Sequence, residues 1–142
     1  MKLSEKGKTL IKKYEGLKLS AYKCPADVWT IGYGHTAGVF EGQKITSDQA
    51  DEFFDNDIKQ FEKIVLELCN VPLKQGQFDA LVSFVYNVGK TAFANSTLLK
   101  LLNQKKYTAA GNEFSRWVYV RDKKLQGLVK RRIDERFLFF AS

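Results

Sequence analysis

Residues 15–36 (EGLKLSAYKCPADVWTIGYGHT) constrain the fold more than any other stretch of this chain. A carboxylate, Glu15, ends a helical pattern, and a glycine follows it at once. A Cys-Pro-Ala-Asp turn then leads into a β-branched and aromatic run, which is interrupted by Gly32 and Gly34 and closed by His35, the only histidine of the chain. Strand residues that alternate with glycines are typical of a strand that another backbone or a ligand approaches closely. The stretch therefore predicts a helix end followed by such a strand.

Apolar spacing predicts a short helix before this stretch, with Ser4 as its N-cap and Gly16 at its end. The apolar face of this helix comprises Leu3, Leu10, Ile11 and Tyr14. Residues from about 17 to 45 predict a small antiparallel sheet, with turns at its glycines and a third strand near Val39 or Ile45. Because a sheet of this size cannot form its own core, we expect it to pack against helices.

The rest of the chain predicts helices. Thr46 and Gln49 form a capping box for the longest of them, which is expected to end near residues 70–72. Further helices are expected over about 74–88, from Ser96 onwards, over 107–117 and over 125–140. The last helix is expected to turn five apolar residues inward: Leu128, Val129, Ile133, Phe137 and Phe140. A helix, a small sheet and then several helices predict an α+β fold with room for a cleft.

Three sequence blocks carry a resemblance to a known family. The first has Glu15-Gly16, Cys24 and then TIGYGH over residues 30–35; the second covers residues 77–84 (QFDALVSF) and 87–89 (NVG); the third has Arg116-Trp117, residues 127–129 (GLV) and Arg131-Arg132. In this order and spacing the chain resembles the phage lysozymes of the T-even and lambdoid type, glycoside hydrolase family 24.

This resemblance implies a lysozyme-like α+β fold in a single domain, residues 1–142, which agrees with the length of the chain. A small antiparallel sheet lobe is expected over about 15–46. A larger helical lobe is expected over about 47–142, together with the N-terminal helix. The long helix is expected to join the lobes, with an active-site cleft between them.

The net charge of +7 and the pI near 9.4 indicate an anionic partner, but charge alone does not choose among nucleic acid, membrane surface and cell-wall polymer. No helix-turn-helix, zinc-finger or RNA-binding signature is present, so we expect no nucleic-acid partner. No apolar run approaches a membrane span, and the N-terminal residues lack the apolar stretch of a signal peptide. We therefore expect no stable membrane insertion. Two unpaired cysteines and one histidine predict neither a disulfide framework nor a metal site, and no cofactor is expected.

Cleavage of a glycosidic bond requires one group that protonates the leaving oxygen and a second group that activates water or attacks carbon. The resemblance assigns the general acid to Glu15. The second group is left open between Cys24 and Asp27. Familiar members of the family carry aspartate where Cys24 stands, and other members carry cysteine, so Cys24 is the preferred partner of Glu15. By resemblance Thr30 is the third member of the constellation, because its hydroxyl can bond the attacking water.

Asp27 is interpreted as a turn residue that tolerates a left-handed backbone. A thiolate at Cys24 that activates water would invert the anomeric centre, whereas one that attacks the sugar would retain it, and the sequence leaves both outcomes open. Asn87, Arg131 and Arg132 are predicted to bind substrate, and one of the two arginines is expected to pair with Glu15. His35 is interpreted as a structural residue.

The function implied by this resemblance is that of an endolysin. We expect a peptidoglycan hydrolase that cleaves the β-1,4 bond between N-acetylmuramic acid and N-acetylglucosamine and lyses bacterial host cells. A lytic transglycosylase and a non-catalytic cell-wall-binding module are the alternatives. The protein is expected to be a monomer that stays in the host cytoplasm until lysis and then acts on the periplasmic cell wall.

Overall fold

Seven α-helices and two small β-hairpins make up residues 1–141, which are the residues that the computed structural model describes. The helices are α1 (Glu5–Glu15), α2 (Ser47–Leu68), α3 (Gln75–Val88), α4 (Lys90–Ala94), α5 (Thr97–Asn103), α6 (Tyr107–Asn112) and α7 (Gln126–Phe140). The strands are β1 (Lys18–Lys23), β2 (Trp29–Gly32), β3 (Tyr119–Val120) and β4 (Lys123–Lys124). A mostly helical body with small antiparallel hairpins is the predicted α+β arrangement.

Helix α1 begins and ends where its sequence predicts. The Ser4 hydroxyl caps it by accepting the backbone N–H three residues on at 3.3 Å, and the backbone N–H of Ser4 donates to Asp79 at 2.9 Å. Gly16 ends the helix with a φ of +71°, a conformation that glycine adopts without strain. Glu15 is therefore the last residue of α1, at the point where the chain reverses into β1.

The sheet after α1 is smaller than predicted. Strands β1 and β2 pair antiparallel, but the third strand expected near Val39 or Ile45 is reduced to a single bridge between Ser20 and Lys44. Two glycines with left-handed backbone, Gly38 and the glycine at position 42, turn the chain twice within this segment. Only a short piece of it therefore runs beside β1.

Helix α3 forms the centre of the core and packs against α1, α2 and α7. Its buried residues include Phe78, Ala80, Leu81, Val82, Phe84 and Val85. The predicted capping box of α2 is present, because the Gln49 N–H donates to the Thr46 hydroxyl at 3.1 Å and the Thr46 N–H donates to the Gln49 side chain at 2.9 Å. Since α2 contacts both β2 and α3, it joins the sheet to the helical body.

The inward face predicted for α7 is wrong at three positions. These residues are exposed: Ile133 by 59%, Phe137 by 74% and Phe140 by 40%. Leu128 and Val129 are half-buried. The buried residues of this helix are instead Arg131, Arg132, Glu135 and Phe139. Charged side chains are stable in the interior only when they are paired and hydrogen-bonded, and those of α7 neutralise one another and a residue of α1.

The helix predicted over 107–117 is split. Helix α6 stops at Asn112 and continues as a 3₁₀ turn, Glu113–Arg116. The hairpin of β3 and β4 follows, and its two turn residues, Arg121 and Asp122, both have positive φ. Turns of this kind usually contain Asn or Gly, so the sequence carried no signal for it. None of the helices within residues 1–141 combines the length and the apolar character needed to cross a membrane.

Candidate active site

Glu15 lies at the junction of α1 and β1 with its side chain 21% exposed. Its Oε2 accepts a hydrogen bond from Nη1 of Arg131 at 2.5 Å. The chain after β2 comes close on the other side, because a Cβ built on Gly34 would lie 3.2 Å from Oε1 of Glu15. Gly34 also has a φ of +88°, so any other residue there would be strained and would crowd the carboxylate.

A buried cluster fixes Arg131 beneath Glu15. Its Nε donates to Glu135 Oε2 at 3.3 Å, and its Nη2 donates to the Ser83 carbonyl at 3.0 Å. The Ser83 hydroxyl donates to Glu135 at 2.6 Å, and Arg132 donates to the other oxygen of Glu135 at 2.5 Å. Glu135 and Ser83 are 0% exposed. The guanidinium groups of Arg131 and Arg132 are thus balanced by two carboxylates, those of Glu135 and Glu15.

Arg132 extends this cluster away from Glu15. Its Nε donates to the Trp117 carbonyl at 2.9 Å, and its Nη2 donates to the side chain of Asn87, which is exposed. The guanidinium carbon lies 5.0 Å from the centroid of the Phe84 ring. Burial lowers the pKa of Arg132, whereas Glu135 acts in the opposite direction. The direct substrate contact predicted for Arg131, Arg132 and Asn87 stays a prediction, and the burial of both arginines favours a positioning role.

Cys24 lies in the turn between β1 and β2 and is half-buried. Its carbonyl accepts the Asp27 N–H at 2.8 Å, and its N–H donates to the Val28 carbonyl at 3.0 Å. Hydrogen bonds from the backbone of Val28 and Ala26 lower the pKa of the Cys24 thiol, and the side chain of Thr30 acts in the same direction. Thr30 is 4% exposed. The turn therefore favours the thiolate, which is the nucleophilic form of cysteine.

Asp27 is largely exposed to solvent. Its backbone is left-handed, with a φ of +63°, and its side chain is 81% exposed. Its carboxylate pairs with Lys23 at 3.3 Å, and the ammonium of Lys23 lies 5.5 Å from the centroid of the Trp29 ring. This geometry agrees with the interpretation of Asp27 as a turn residue.

Tyr22 lies on β1 and is 37% exposed. It pairs with Thr30 across the β1–β2 hairpin. Burial raises the pKa of the Tyr22 phenol, and the charges of Cys24 and Glu15 add to that effect. One phenol thus senses both predicted catalytic groups. Sequence reasoning treated Tyr22 only as a strand residue, because strand tyrosines are common and no spacing marked this one.

A cleft of about 180 Å³ opens beside Glu15. Its lining residues are Glu15, Gly34, Thr36, Ala37, Asp57, Gln60, Phe61 and Tyr86. The Tyr86 hydroxyl donates to the Tyr33 carbonyl at 2.5 Å. Burial raises the pKa of Tyr86, and the charges of Glu15 and Asp57 act in the same direction. Tyr86 thus stays protonated and holds the loop after β2. The apolar periodicity of α2 and α3 gave no signal for the cleft-lining polar residues.

His35 fastens the same loop to α2. Its Nδ1 lies 2.8 Å from Oδ2 of Asp57, and its ring stacks on Phe53 with centroids 4.4 Å apart. The hydrogen bond to an acid and the stacking on an aromatic ring agree with a structural role for His35. Among residues 1–141, no three histidine, cysteine or acidic side chains are placed to hold a metal ion together.

A family model described as phage lysozyme matches residues 12–135. The chain belongs to the phage lysozyme family. The matched range contains the sheet, the cleft and the whole buried cluster of this phage lysozyme. It also contains every residue predicted for the site, from Glu15 to Arg132.

Similar proteins extend this likeness over nearly the full chain. An endolysin of Acyrthosiphon pisum secondary endosymbiont phage 1 is 49% identical and covers 98% of both chains. The muramidase domain of SpmX from Asticaccaulis excentricus has a similar structure, with a TM-score of 0.92, 38% identity and 97% of both chains covered. A mutant of the lysozyme of Salmonella phage P22 gives a TM-score of 0.87, with 39% identity and 99% of both chains covered. The lysozyme-like fold predicted from the sequence is thereby confirmed.

Proposed function

We propose that this phage lysozyme is a peptidoglycan hydrolase of the endolysin type. It is a muramidase that cleaves the β-1,4 bond between N-acetylmuramic acid and N-acetylglucosamine and so lyses bacterial host cells. Its family and the endolysins that resemble it over the full chain support this function. The observation that carries the proposal is a carboxylate, Glu15, that lies at a cleft and is ion-paired with a buried arginine.

Glu15 acts as the general acid in this proposal. Its proton passes to the glycosidic oxygen, the bond from that oxygen to the anomeric carbon breaks, and the leaving sugar departs as an alcohol. Arg131 stabilises the carboxylate that this transfer leaves behind, because its guanidinium is already placed at 2.5 Å. The transfer restores the charge balance of the buried cluster, which favours the step energetically.

Cys24 and Thr30 act on the opposite side. In the inverting course a water attacks the anomeric carbon and gives its proton to the Cys24 thiolate, while the Thr30 hydroxyl orients that water. In the retaining course the thiolate itself attacks, and water later releases the sugar with Glu15 as the base. The lowered pKa of the Cys24 thiol supports both courses, since both start from the thiolate.

Arg131 and Arg132 are positioning residues in this proposal, and Asn87 is the one of the predicted binding residues that is open to a sugar chain. Asn87 is exposed at the end of α3, and Arg132 orients its amide oxygen. Its amide nitrogen can therefore donate to substrate while Arg132 continues to hold the amide oxygen.

We also propose that the lobes at about 15–46 and 47–142 form one domain around the cleft.

The test is digestion of purified peptidoglycan sacculi followed by mass spectrometry of the released muropeptides. A hydrolase adds one water for each bond that it cuts. A lytic transglycosylase leaves an anhydro sugar and adds none, so anhydro products would replace the hydrolase proposal. Binding to sacculi without any release of products would support a non-catalytic wall-binding module instead. The anomeric configuration of the freshly released product, read by NMR before mutarotation, separates the inverting from the retaining course.

The oligomeric state of the protein, its location before lysis and its access to the wall are also proposals. The protein acts as a monomer, stays in the host cytoplasm until lysis and then reaches the periplasmic cell wall. Its net charge of +7 suits the acidic polymers of that wall. Fractionation of expressing cells before lysis checks the location, and its detection in the periplasm at that stage would contradict it. Sedimentation equilibrium checks the monomer.

A further inference from the structure

The outer face of α7 and the neighbouring hairpin expose an unusual group of apolar side chains. Its members are Tyr119 (59% exposed), Val120 (49%), Leu125 (37%), Ile133 (59%), Phe137 (74%) and Phe140 (40%). Single exposed apolar residues are normal on protein surfaces, but a group of this size marks an interaction site. Ile133 and Phe137 lie one helical turn apart, so they form one stripe on α7. We call these six residues the α7–hairpin surface.

A groove of about 460 Å³ continues this surface between α7, the 3₁₀ turn and the hairpin. Its apolar lining residues are Val118, Tyr119, Val129 and Ile133, and the exposed cations among its lining residues are Arg116, Lys124 and Arg136. The guanidinium of Arg136 lies 5.0 Å from the centroid of the Phe140 ring. Apolar and cationic side chains therefore alternate across the same face.

The charge around this surface is mostly positive. Residues 116–136 include six exposed cations, namely Arg116, Arg121, Lys123, Lys124, Lys130 and Arg136. The one exposed acid in that range is Asp122. Asp134 is held by Tyr14 and Lys13, and Glu135 lies in the buried cluster. Within residues 1–141, neither Lys123 nor Lys124 forms an ion pair. Arg116 pairs with Glu113 at 3.3 Å, and the rest of this positive charge is available to an external anion.

We propose that the α7–hairpin surface docks peripherally on a bilayer of anionic phospholipid. The cations would meet lipid phosphates, and the apolar side chains would enter the boundary between headgroups and acyl chains. An acidic polysaccharide would use the cations but offers no apolar phase for Ile133 and Phe137, so the lipid surface fits both features. The inner face of α7 carries the cluster that holds Arg131, and Arg132 of that cluster also lines the groove, whereas Ile133 and Phe137 make no hydrogen bond or ion pair to it.

The test is co-sedimentation of the full chain with vesicles. The wild type is expected to bind vesicles of phosphatidylglycerol and phosphatidylethanolamine, to bind less at high salt, and not to bind phosphatidylcholine vesicles. An Ile133→Ser, Phe137→Ser double variant is expected to bind anionic vesicles about tenfold more weakly, because its apolar insertion is lost. Phe40→Ser is the matched control, since Phe40 is 60% exposed and lies outside this surface.

Muralytic rate on sacculi and thermal melting should be the same for the double variant and the wild type, which shows that the variant is folded. The proposal is overturned if the wild type does not bind anionic vesicles. It is equally overturned if the double variant binds as well as the wild type, which would leave charge alone as the cause. Loss of a wild-type dimer in the double variant, without vesicle binding, would assign the surface to a second copy of this chain. Sedimentation with sacculi that depends on Phe137 would assign it to the wall.

Discussion

The two predicted catalytic groups, Glu15 and Cys24, are held in different ways by their surroundings. Glu15 is paired with Arg131, and that arginine is fixed by Glu135 in a cluster closed to solvent. Cys24 lies in a short turn, half-buried, and is supported mainly by backbone hydrogen bonds. The first side depends on side chains from distant parts of the chain, and the second depends on residues 26–30 of the same turn and strand.

The difference corresponds to the work that each side is proposed to do. A proton donor is effective only when its carboxyl group is held at one place relative to the bond that it cleaves, and buried charge pairs provide that rigidity. A group that handles water must remain accessible to water, which a half-buried turn allows. Substitutions on the Glu15 side should therefore damage both activity and stability. Substitutions on the Cys24 side should damage activity alone.

The largest effect is expected for Glu15→Gln. Loss of the proposed general acid should lower the rate of sacculus clearing by about 1,000-fold, since positioned acids contribute rate factors of that order. The measurement is the initial rate of turbidity loss. Glu5→Gln is the control, because Glu5 lies on the same helix with its side chain 91% exposed. Near-wild-type clearing by Glu15→Gln would remove Glu15 from the mechanism.

Glu135→Gln tests the rigidity of the Glu15 side. Arg132 would lose its carboxylate partner and Arg131 would keep only Glu15, so the free energy of unfolding should fall by about 3–5 kcal/mol. Urea denaturation measures it. Glu67→Gln is the matched control, because both side chains of its ion pair with Lys63 are exposed, by 52% and 75%, and its loss should cost about 0–1 kcal/mol. Equal losses of unfolding free energy in the two variants would show that the buried cluster stabilises the fold no more than an exposed ion pair does.

Cys24→Ser should lower the clearing rate by about 100-fold, because a serine hydroxyl does not ionise near neutral pH and so cannot replace the thiolate. The unfolding free energy should stay near that of the wild type. Asp27→Asn should change the clearing rate by less than about twofold, as expected for a solvent-exposed side chain. The reverse pattern, with activity lost in Asp27→Asn and kept in Cys24→Ser, would move the role to Asp27.

Alkylation of the two cysteines tests the smallest expected effect, which is a shift in the pKa of a single thiol. The lowered pKa of Cys24 means that its thiolate is present at lower pH than in the unfolded chain, so the midpoint of its reaction with iodoacetamide should be lower in the folded protein. Thr30→Val should raise that midpoint. Burial raises the pKa of Cys69 to about 12, so Cys69 should stay unreacted near neutral pH. Mass spectrometry of the peptides measures both sites, and equal reactivity would contradict the environment described for Cys24.

The sequence predicted the local features of this fold well. Ser4, Gly16 and the capping box of Thr46 and Gln49 all act where their residue types indicate, because caps and glycine turns depend on neighbours within a few residues. The turn around Cys24 likewise depends on residues that are close to it in the sequence. The motif also placed Glu15 at a helix end beside a glycine-rich loop.

The face of α7 could not be predicted in the same way. Periodicity assigns Ile133 and Phe137 to the core because it treats every charged residue as a surface residue. Arg131 and Glu135 lie inside only because Ser83 and Glu15, far away in the sequence, supply their partners. The choice between Arg131 and Arg132 as the partner of Glu15 depended on the same tertiary contacts.

The contact between Arg131 and Glu15 joins positions 116 residues apart. A nascent polypeptide that has not yet released α7 from the ribosome cannot place Arg131 beside Glu15. Its acid side is therefore incomplete until α7 has emerged. For a protein that degrades the envelope of a bacterial cell, synthesis itself then delays the appearance of the finished carboxylate–arginine pair.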